Sequence, residues 1–283
     1  MLITIIGLGL IGGSLGLALK KKDWQSAEII GYVRRHEAGQ IALEMGAIDR
    51  FELSLEKAVV DANIIFIATP VLTVKDIFTQ ISPHLQNGCI VTDATSTKYQ
   101  VLQWARELLP SKVGFVGGHP MAGKETHGIA AADADLFRDC VYCLVHGQTR
   151  SMQLIEDMIK SIGAIPLLID AEEHDVMVAG ISHLPLLIST ALVLSATSSK
   201  SWPLMSRLAS TGYHDLTRLA SGNPEVNSSI CLSNQSAIIN WIDIFSNELY
   251  KLRELIGNEV DIKNAFTIAN EERNKWLKSR FLK

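Results

Sequence analysis

Cysteine is scarce in this chain. Four occur in 283 residues, Cys89, Cys140, Cys143 and Cys231, and no basic n-region precedes an apolar stretch, so a disulfide framework is excluded and a reducing, cytoplasmic compartment is expected. Cys140 and Cys143 have C-x-x-C spacing, yet they fall on an expected strand, Val141 to Val145. Residues three apart on a strand face opposite ways, and no second pair exists, so no metal site or dithiol is expected. Basic charge is also short: 26 Lys and Arg face 30 Asp and Glu, a net charge of −4. Without a basic face or an aromatic-basic alternation, neither a nucleic acid nor an anionic membrane is an expected partner. Two stretches lack formal charge altogether. Leu2 to Leu19 is not a secretory signal, because its lysines follow it and glycines interrupt it. Val176 to Ser199 is long enough to span a bilayer, but Gly180, Ser182, His183, Pro185, Ser189, Thr190 and Ser195 dilute it, and a buried helix is expected instead.

What is present is a nucleotide-binding signature. The β-branched run Leu2 to Ile6 leads into Gly7-Leu8-Gly9-Leu10-Ile11-Gly12-Gly13-Ser14 and then into a helical pattern. This is G-x-G-x-x-G in its strand-turn-helix setting. Gly7 permits the tight turn, Gly9 lets the backbone near Leu10 and Ile11 approach a pyrophosphate, and Gly12 lets the helix lie close to the strand. A second strand, Glu28 to Val33, would end in an acid if it selected the ribose 2′-hydroxyl of NAD. It ends in Val33-Arg34-Arg35, and the two guanidinium groups suit the 2′-phosphate of NADP, with NAD as the alternative.

Downstream, Gly117-Gly118-His119-Pro120-Met121-Ala122-Gly123 follows the apolar run Val113 to Val116. The spacing predicts a strand passing into a Gly-rich loop, where open α/β sheets bind ligands, and an imidazole there can take a proton. Further strands are expected at Ile64 to Ala68, which ends in the cofactor-side candidate Thr69, at Cys89 to Thr92 and at Ile165 to Ile169. Helices are expected at Thr73 to Ile81, Tyr99 to Leu109 and Met152 to Ile162. Beyond Asp170 the strands stop. Glu172 to Ser198, Pro203 to Ser210, Pro224 to Leu232, Gln235 to Ile256 and Val260 to Lys278 have helical patterns. The expected class is therefore α/β: a Rossmann-type doubly wound sheet over residues 1–169, then an all-helical domain over 170–283 that dimerises to cover its apolar helix. At 47% hydrophobic and 20% charged, the chain supports two such cores.

The ordered motifs, together with Asp93-Ala94-Thr95-Ser96-Thr97-Lys98, Ile181-Ser182-His183-Leu184-Pro185 and Gly212-Tyr213-His214-Asp215-Leu216-Thr217-Arg218, resemble the prephenate/arogenate dehydrogenases of tyrosine biosynthesis over essentially the whole chain. The resemblance implies a cyclohexadienyl substrate that loses hydride from C4 to the nicotinamide and CO2 from C1. Arogenate then gives tyrosine and prephenate gives 4-hydroxyphenylpyruvate. It implies His119 as base, Ser96 as a hydrogen-bond partner of substrate or His119, Arg218 as the carboxylate clamp with Asp215 orienting it, His183 on the substrate side, and Lys98 as a cofactor or active-site contact. Ser96 could equally be a helix N-cap, and Asp215 with Arg218 an ordinary i,i+3 surface pair. Several prephenate-using relatives carry a second His three residues after the position of His183. Leu186 stands there here, which favours arogenate. No regulatory or chorismate mutase domain is expected, so tyrosine would inhibit by occupying the active site. Another NAD(P)-dependent small-acid dehydrogenase, an imine reductase and a non-catalytic NADP sensor are the alternatives; the Gly-His-Pro and Ser-His-Leu-Pro motifs argue against the first two, and His119, Ser96 and Arg218 together argue against the third.

Overall fold

The computed structural model describes residues 1–145, 149–258 and 261–280. By internal contacts the chain forms two compact units, Met1–Gln235 and Ser236–Lys283. In the first unit β1 (Leu2–Ile6), α1 (Leu10–Lys22), β2 (Glu28–Tyr32), α2 (His36–Glu44), β3 (Arg50–Glu52), α3 (Leu55–Val59), β4 (Ile64–Ile67), α4 (Val74–Ile81), β5 (Ile90–Asp93), α5 (Tyr99–Leu108), β6 (Gly114–Pro120), β7 (Val141–Val145), α6 (Thr149–Ser161) and β8 (Ile165–Leu168) build the sheet and its flanking helices. The strand order is β3-β2-β1-β4-β5-β6-β7-β8. All neighbours are parallel except β6 and β7, which pair antiparallel with His119 opposite Cys143.

The central strands read as continuous apolar runs because helices cover both faces of the sheet. Ile3 and Ile5 enter one core layer and Ile6 the other, and all three are at most 1% exposed. Each such side chain contributes roughly 1.5–3 kcal/mol by leaving water. Chain reversal at Gly7, φ +98, carries β1 into α1. A Cβ there would lie 2.8 Å from the Ala68 carbonyl oxygen, so the turn and the close approach of β4 both require glycine.

After β8 the unit is helical: α7 (Ala171–Val178), a π-helical turn Ala179–His183, α8 (Leu184–Thr197), α9 (Trp202–Leu208), α10 (Thr211–Thr217) and α11 (Pro224–Ser233). The first three form one uninterrupted helical run. Pro185 cannot donate to the carbonyl four residues back, and the helix widens into the π turn just before it. Ala171–Thr197 is long and apolar enough to cross a membrane by length and composition. His174, Asp175 and His183 on it are buried, but Ile181 and Leu194 are 72% and 64% exposed, so the run is only partly covered within this chain, not the buried helix its apolar pattern suggests. The second unit holds α12 (Gln235–Gly257), from its second residue onward, and α13 (Ile262–Arg280); Val260, where the sequence starts the last helix, lies outside the described residues.

One expectation needs correcting. His119 does not sit in a loop beyond a short strand, because β6 continues through Gly117, Gly118 and His119 to Pro120. The glycines answer to crowding rather than to a turn. A Cβ on Gly118 would stand 2.5 Å from the Asp93 carbonyl oxygen and 2.9 Å from the Tyr142 ring, and one on Gly117 would meet Val145 at 2.5 Å.

Candidate active site

The nucleotide end is built from backbone. Gly9 caps α1 without any side-chain hydrogen bond, so the first N–H groups of the helix face outward as an anion cradle. A Cβ on Gly9 would meet nothing within 4 Å, whereas one on Gly12 would stand 2.1 Å from the Gly7 carbonyl oxygen. The space at Gly9 is therefore open to a ligand and that at Gly12 is filled by protein, which is the arrangement a dinucleotide needs. Leu10 and Ile11 provide the next N–H groups. Thr69, just past β4, accepts a 2.8 Å hydrogen bond from the Thr73 hydroxyl, and its methyl group borders Gly7. Arg34 and Arg35 are exposed past β2, and among the described residues neither side chain is paired.

Around His119 the side chains are buried and mutually bonded. Asp93, at the end of β5, binds the Lys98 ammonium in a fully buried ion pair and accepts the Gly118 N–H at 3.1 Å. Lys98 Nζ also donates to Gly118 O at 2.7 Å and to Thr95 Oγ1 at 2.9 Å. Both backbone polar groups of the residue before His119 are thus anchored to one ion pair. Of the two roles expected of Lys98, cofactor contact or active-site contact, this geometry fits the second: it is 0% exposed and its three protons are committed inside the protein, one of them to the residue before His119. Burial pushes its pKa down, opposed by Asp93.

His119 is 8% exposed. Its Nδ1 lies 2.9 Å from Nε2 of His174, and Nδ1 of His174 lies 2.8 Å from Asp175 Oδ1. Asp175 in turn accepts the Lys98 N–H at 2.7 Å and the Tyr99 N–H at 3.0 Å, capping α5 from another helix. Burial foremost, then the neighbouring His174, Lys98 and His183, hold the His119 pKa well below the usual histidine range, so the ring is neutral at pH 7 and able to accept a proton. His183, at the end of the π turn, is 1% exposed, and burial lowers its pKa to about 4. Its Nδ1 faces the Asn234 amide nitrogen at 3.4 Å, and the same nitrogen donates to Asp175 O at 2.7 Å. His183 Nε2 has no partner among the described residues, a buried donor lacking an acceptor.

Ser96 is half-buried between Thr95, which bonds Asp93, and Thr97, which bonds Ser233 at 2.9 Å. It is not an N-cap: Lys98 precedes α5, and no side chain caps it locally. Arg218 opens a 3₁₀ turn after α10 that is tied to α8 by the Ala220 N–H donating to Ser189 Oγ at 2.9 Å. Its guanidinium pairs with Glu125, and Asp215 instead contacts His214 at 3.3 Å. Asp215 therefore does not orient Arg218, because a carboxylate from the loop after β6 takes that place. Sequence reading missed His174, Asp175, Asn234 and Glu125. The first two were open to detection as polar residues at the head of an apolar helix; the other two carry no local signal.

Residues 15–166 match the family model described as prephenate dehydrogenase, nucleotide-binding domain, and residues 170–266 the model described as prephenate dehydrogenase, dimerization domain. A prephenate dehydrogenase of Bacillus subtilis is 36% identical over 269 residues, 93% of this chain and 72% of that protein. The crystal structure of Synechocystis arogenate dehydrogenase is 30% identical with a TM-score of 0.81, covering 98% of this chain and 100% of its own. Prephenate dehydrogenase from A. aeolicus, solved with hydroxyphenyl propionate and NAD+, is 25% identical with a TM-score of 0.89, covering 98% and 97%.

Proposed function

Because the chain belongs to the prephenate dehydrogenase family, NAD(P)-dependent oxidoreductases of tyrosine biosynthesis, we propose that it converts arogenate to tyrosine in preference to prephenate, uses NADP before NAD, and does so with His119 as base. The observation that carries the reading is a neutral, buried imidazole on the same sheet whose first strand ends in the glycine cradle. With a dinucleotide's pyrophosphate held in that cradle by the backbone at Gly7, Gly9, Leu10, Ile11 and Gly12 and edged by Thr69, its nicotinamide would supply the hydride acceptor. Arg34 and Arg35 are free to take a 2′-phosphate, and Val33 offers no acceptor to a ribose diol.

His119 accepts the C4 hydroxyl proton as the C4–H pair departs, and returns it to the phenol oxygen as the ring becomes aromatic. The bonding pair left by departing CO2 stays in the ring, so no net proton is released. Ser96 is the partner of the same hydroxyl. Arg218, exposed enough to exchange Glu125 for a substrate carboxylate, is the clamp. His183 Nε2 is a donor for the substrate side, and Leu186 provides no second polar group there.

Residues 1–169 and 170–283 are the functional halves in this reading. The second exposes Ile181, Leu194, Leu204 and Leu208, each at least 61% accessible, an apolar surface suited to a homodimer. The enzyme works in the cytoplasm, and tyrosine inhibits by occupying the substrate site. Steady-state assay of arogenate and prephenate against each cofactor tests the proposal. A higher kcat/KM for arogenate with NADP is expected, and a clear preference for prephenate or for NAD overturns that part of it.

A further inference from the structure

We infer that His174, backed by Asp175, positions His119 in the tautomer that carries its proton on Nδ1 and leaves Nε2 free to accept the substrate hydroxyl proton. The inference rests on His119 being the base. Asp175 can only accept, and two of its hydrogen bonds come from the backbone N–H groups of Lys98 and Tyr99. The hydrogen between Asp175 and His174 therefore sits on His174 Nδ1. A neutral His174 then offers a lone pair at Nε2, 2.9 Å from His119 Nδ1, which must be the donor. The rings meet edge to face, with centroids 5.1 Å apart and planes at 73°.

The same chain steadies the charge that forms. When His119 takes a proton, its Nδ1–H still points at His174 and, one ring further on, at Asp175. The surroundings otherwise oppose a cation: His174 disfavours it when it is itself charged, as do Lys98 and His183, burial holds the Cys143 thiol across the strand pair and the Tyr142 phenol neutral, and Asp93 is committed to Lys98. Asp175 is the anion left to answer it. His174 and Asp175 are 1% and 5% exposed, so water does not compete. One helical run thereby supplies both the partner of the base and His183.

Three variants test this: His119→Asn, His174→Phe, which keeps the bulk and removes the acceptor, and His174→Gln, whose amide oxygen can still accept from His119. Phe should lower kcat by at least roughly 10–10²-fold, the effect of losing a hydrogen-bond partner that orients a histidine, with KM and the cofactor Kd unchanged, and Gln should recover most of the loss. Adding His174→Phe to His119→Asn should cost nothing further, because His174 acts through His119. Wild-type kcat in His174→Phe, or a fully additive loss in the double variant, overturns the inference and leaves His119 as base. Near wild-type kcat in His119→Asn overturns both. Should the Phe variant not fold, ¹⁵N chemical shifts of the wild-type rings decide: protonation of His119 on Nδ1 supports the inference, and protonation on Nε2 overturns it.

Discussion

Two glycines three residues apart should fail in different ways when each gains one methyl group. At Gly9 the backbone is extended, with φ −93 and ψ −155, which an L residue adopts without strain, and the added Cβ enters empty space. Gly9→Ala should leave stability unchanged or raise it by up to ~1 kcal/mol, through the smaller entropy of the unfolded chain. Its methyl group stands where backbone N–H groups must approach the pyrophosphate. Losing one charge-assisted contact costs ~1.5–3 kcal/mol, or roughly ten- to a hundredfold in cofactor affinity. At Gly12 the methyl would stand 2.1 Å from the Gly7 carbonyl oxygen and 3.0 Å from Ile5 Cγ2. Backbone cannot turn aside as a flexible side chain would, so α1 must shift off β1. Overpacking of this kind costs about 1–3 kcal/mol, roughly 2–12 °C in Tm for a unit of this size. Thermal melts and titration of cofactor by quenching of protein fluorescence separate the two outcomes. A Gly9→Ala protein that binds cofactor as the wild type does would refute the cradle, and a Gly12→Ala protein with undiminished Tm would refute the contact between helix and turn.

Arg218→Ala should raise KM for the carboxylate substrate by roughly ten- to a hundredfold, removing one charge-assisted contact, and leave the cofactor Kd alone; an equal loss for both ligands would mean the guanidinium serves elsewhere. Lys98→Met should destabilise by about 3–5 kcal/mol, because Asp93 is left buried and uncompensated; a Tm near wild type with weakened cofactor binding would restore the reading of Lys98 as a ligand contact. Arg34→Ala combined with Arg35→Ala should weaken NADP roughly ten- to a hundredfold without touching NAD, and Val33→Asp should move preference to NAD. Parallel titrations check the pair, and an unchanged NADP constant in the double variant would count against the phosphate site.

Regular elements were legible where a segment's own residues decide its state. The runs at Leu2 to Ile6 and Ile64 to Ala68, and the helices after Asp170, are patterned along the chain and appear within a few residues of where periodicity puts them. β3 was not legible: at three residues, Arg50–Glu52, on the sheet edge, it has no period to display. Gly117 and Gly118 misled because glycine has two meanings, a turn and a place where something else comes close. Here the second applies, and what comes close is Val145 and Tyr142 on a strand that the local sequence does not mention.

The active-site errors have the same origin. Pairing Asp215 with Arg218 used the three-residue spacing of a helix, while the actual partner, Glu125, lies 93 residues upstream. His174 and Asp175 stand immediately before the uncharged stretch that begins at Val176, so a scan for missing charge begins just too late to register them. Their partners, His119 and the start of α5, are 55 and 77 positions away. Sequence alone names groups able to carry a proton, but their protonation depends on burial and on neighbours brought in from other elements. His119 was identifiable as a candidate base from its motif. In the mechanism proposed above its tautomer is set by α7, which follows β8, two strands away from β6, so substitutions at His174 should report on chemistry that the motif itself does not encode.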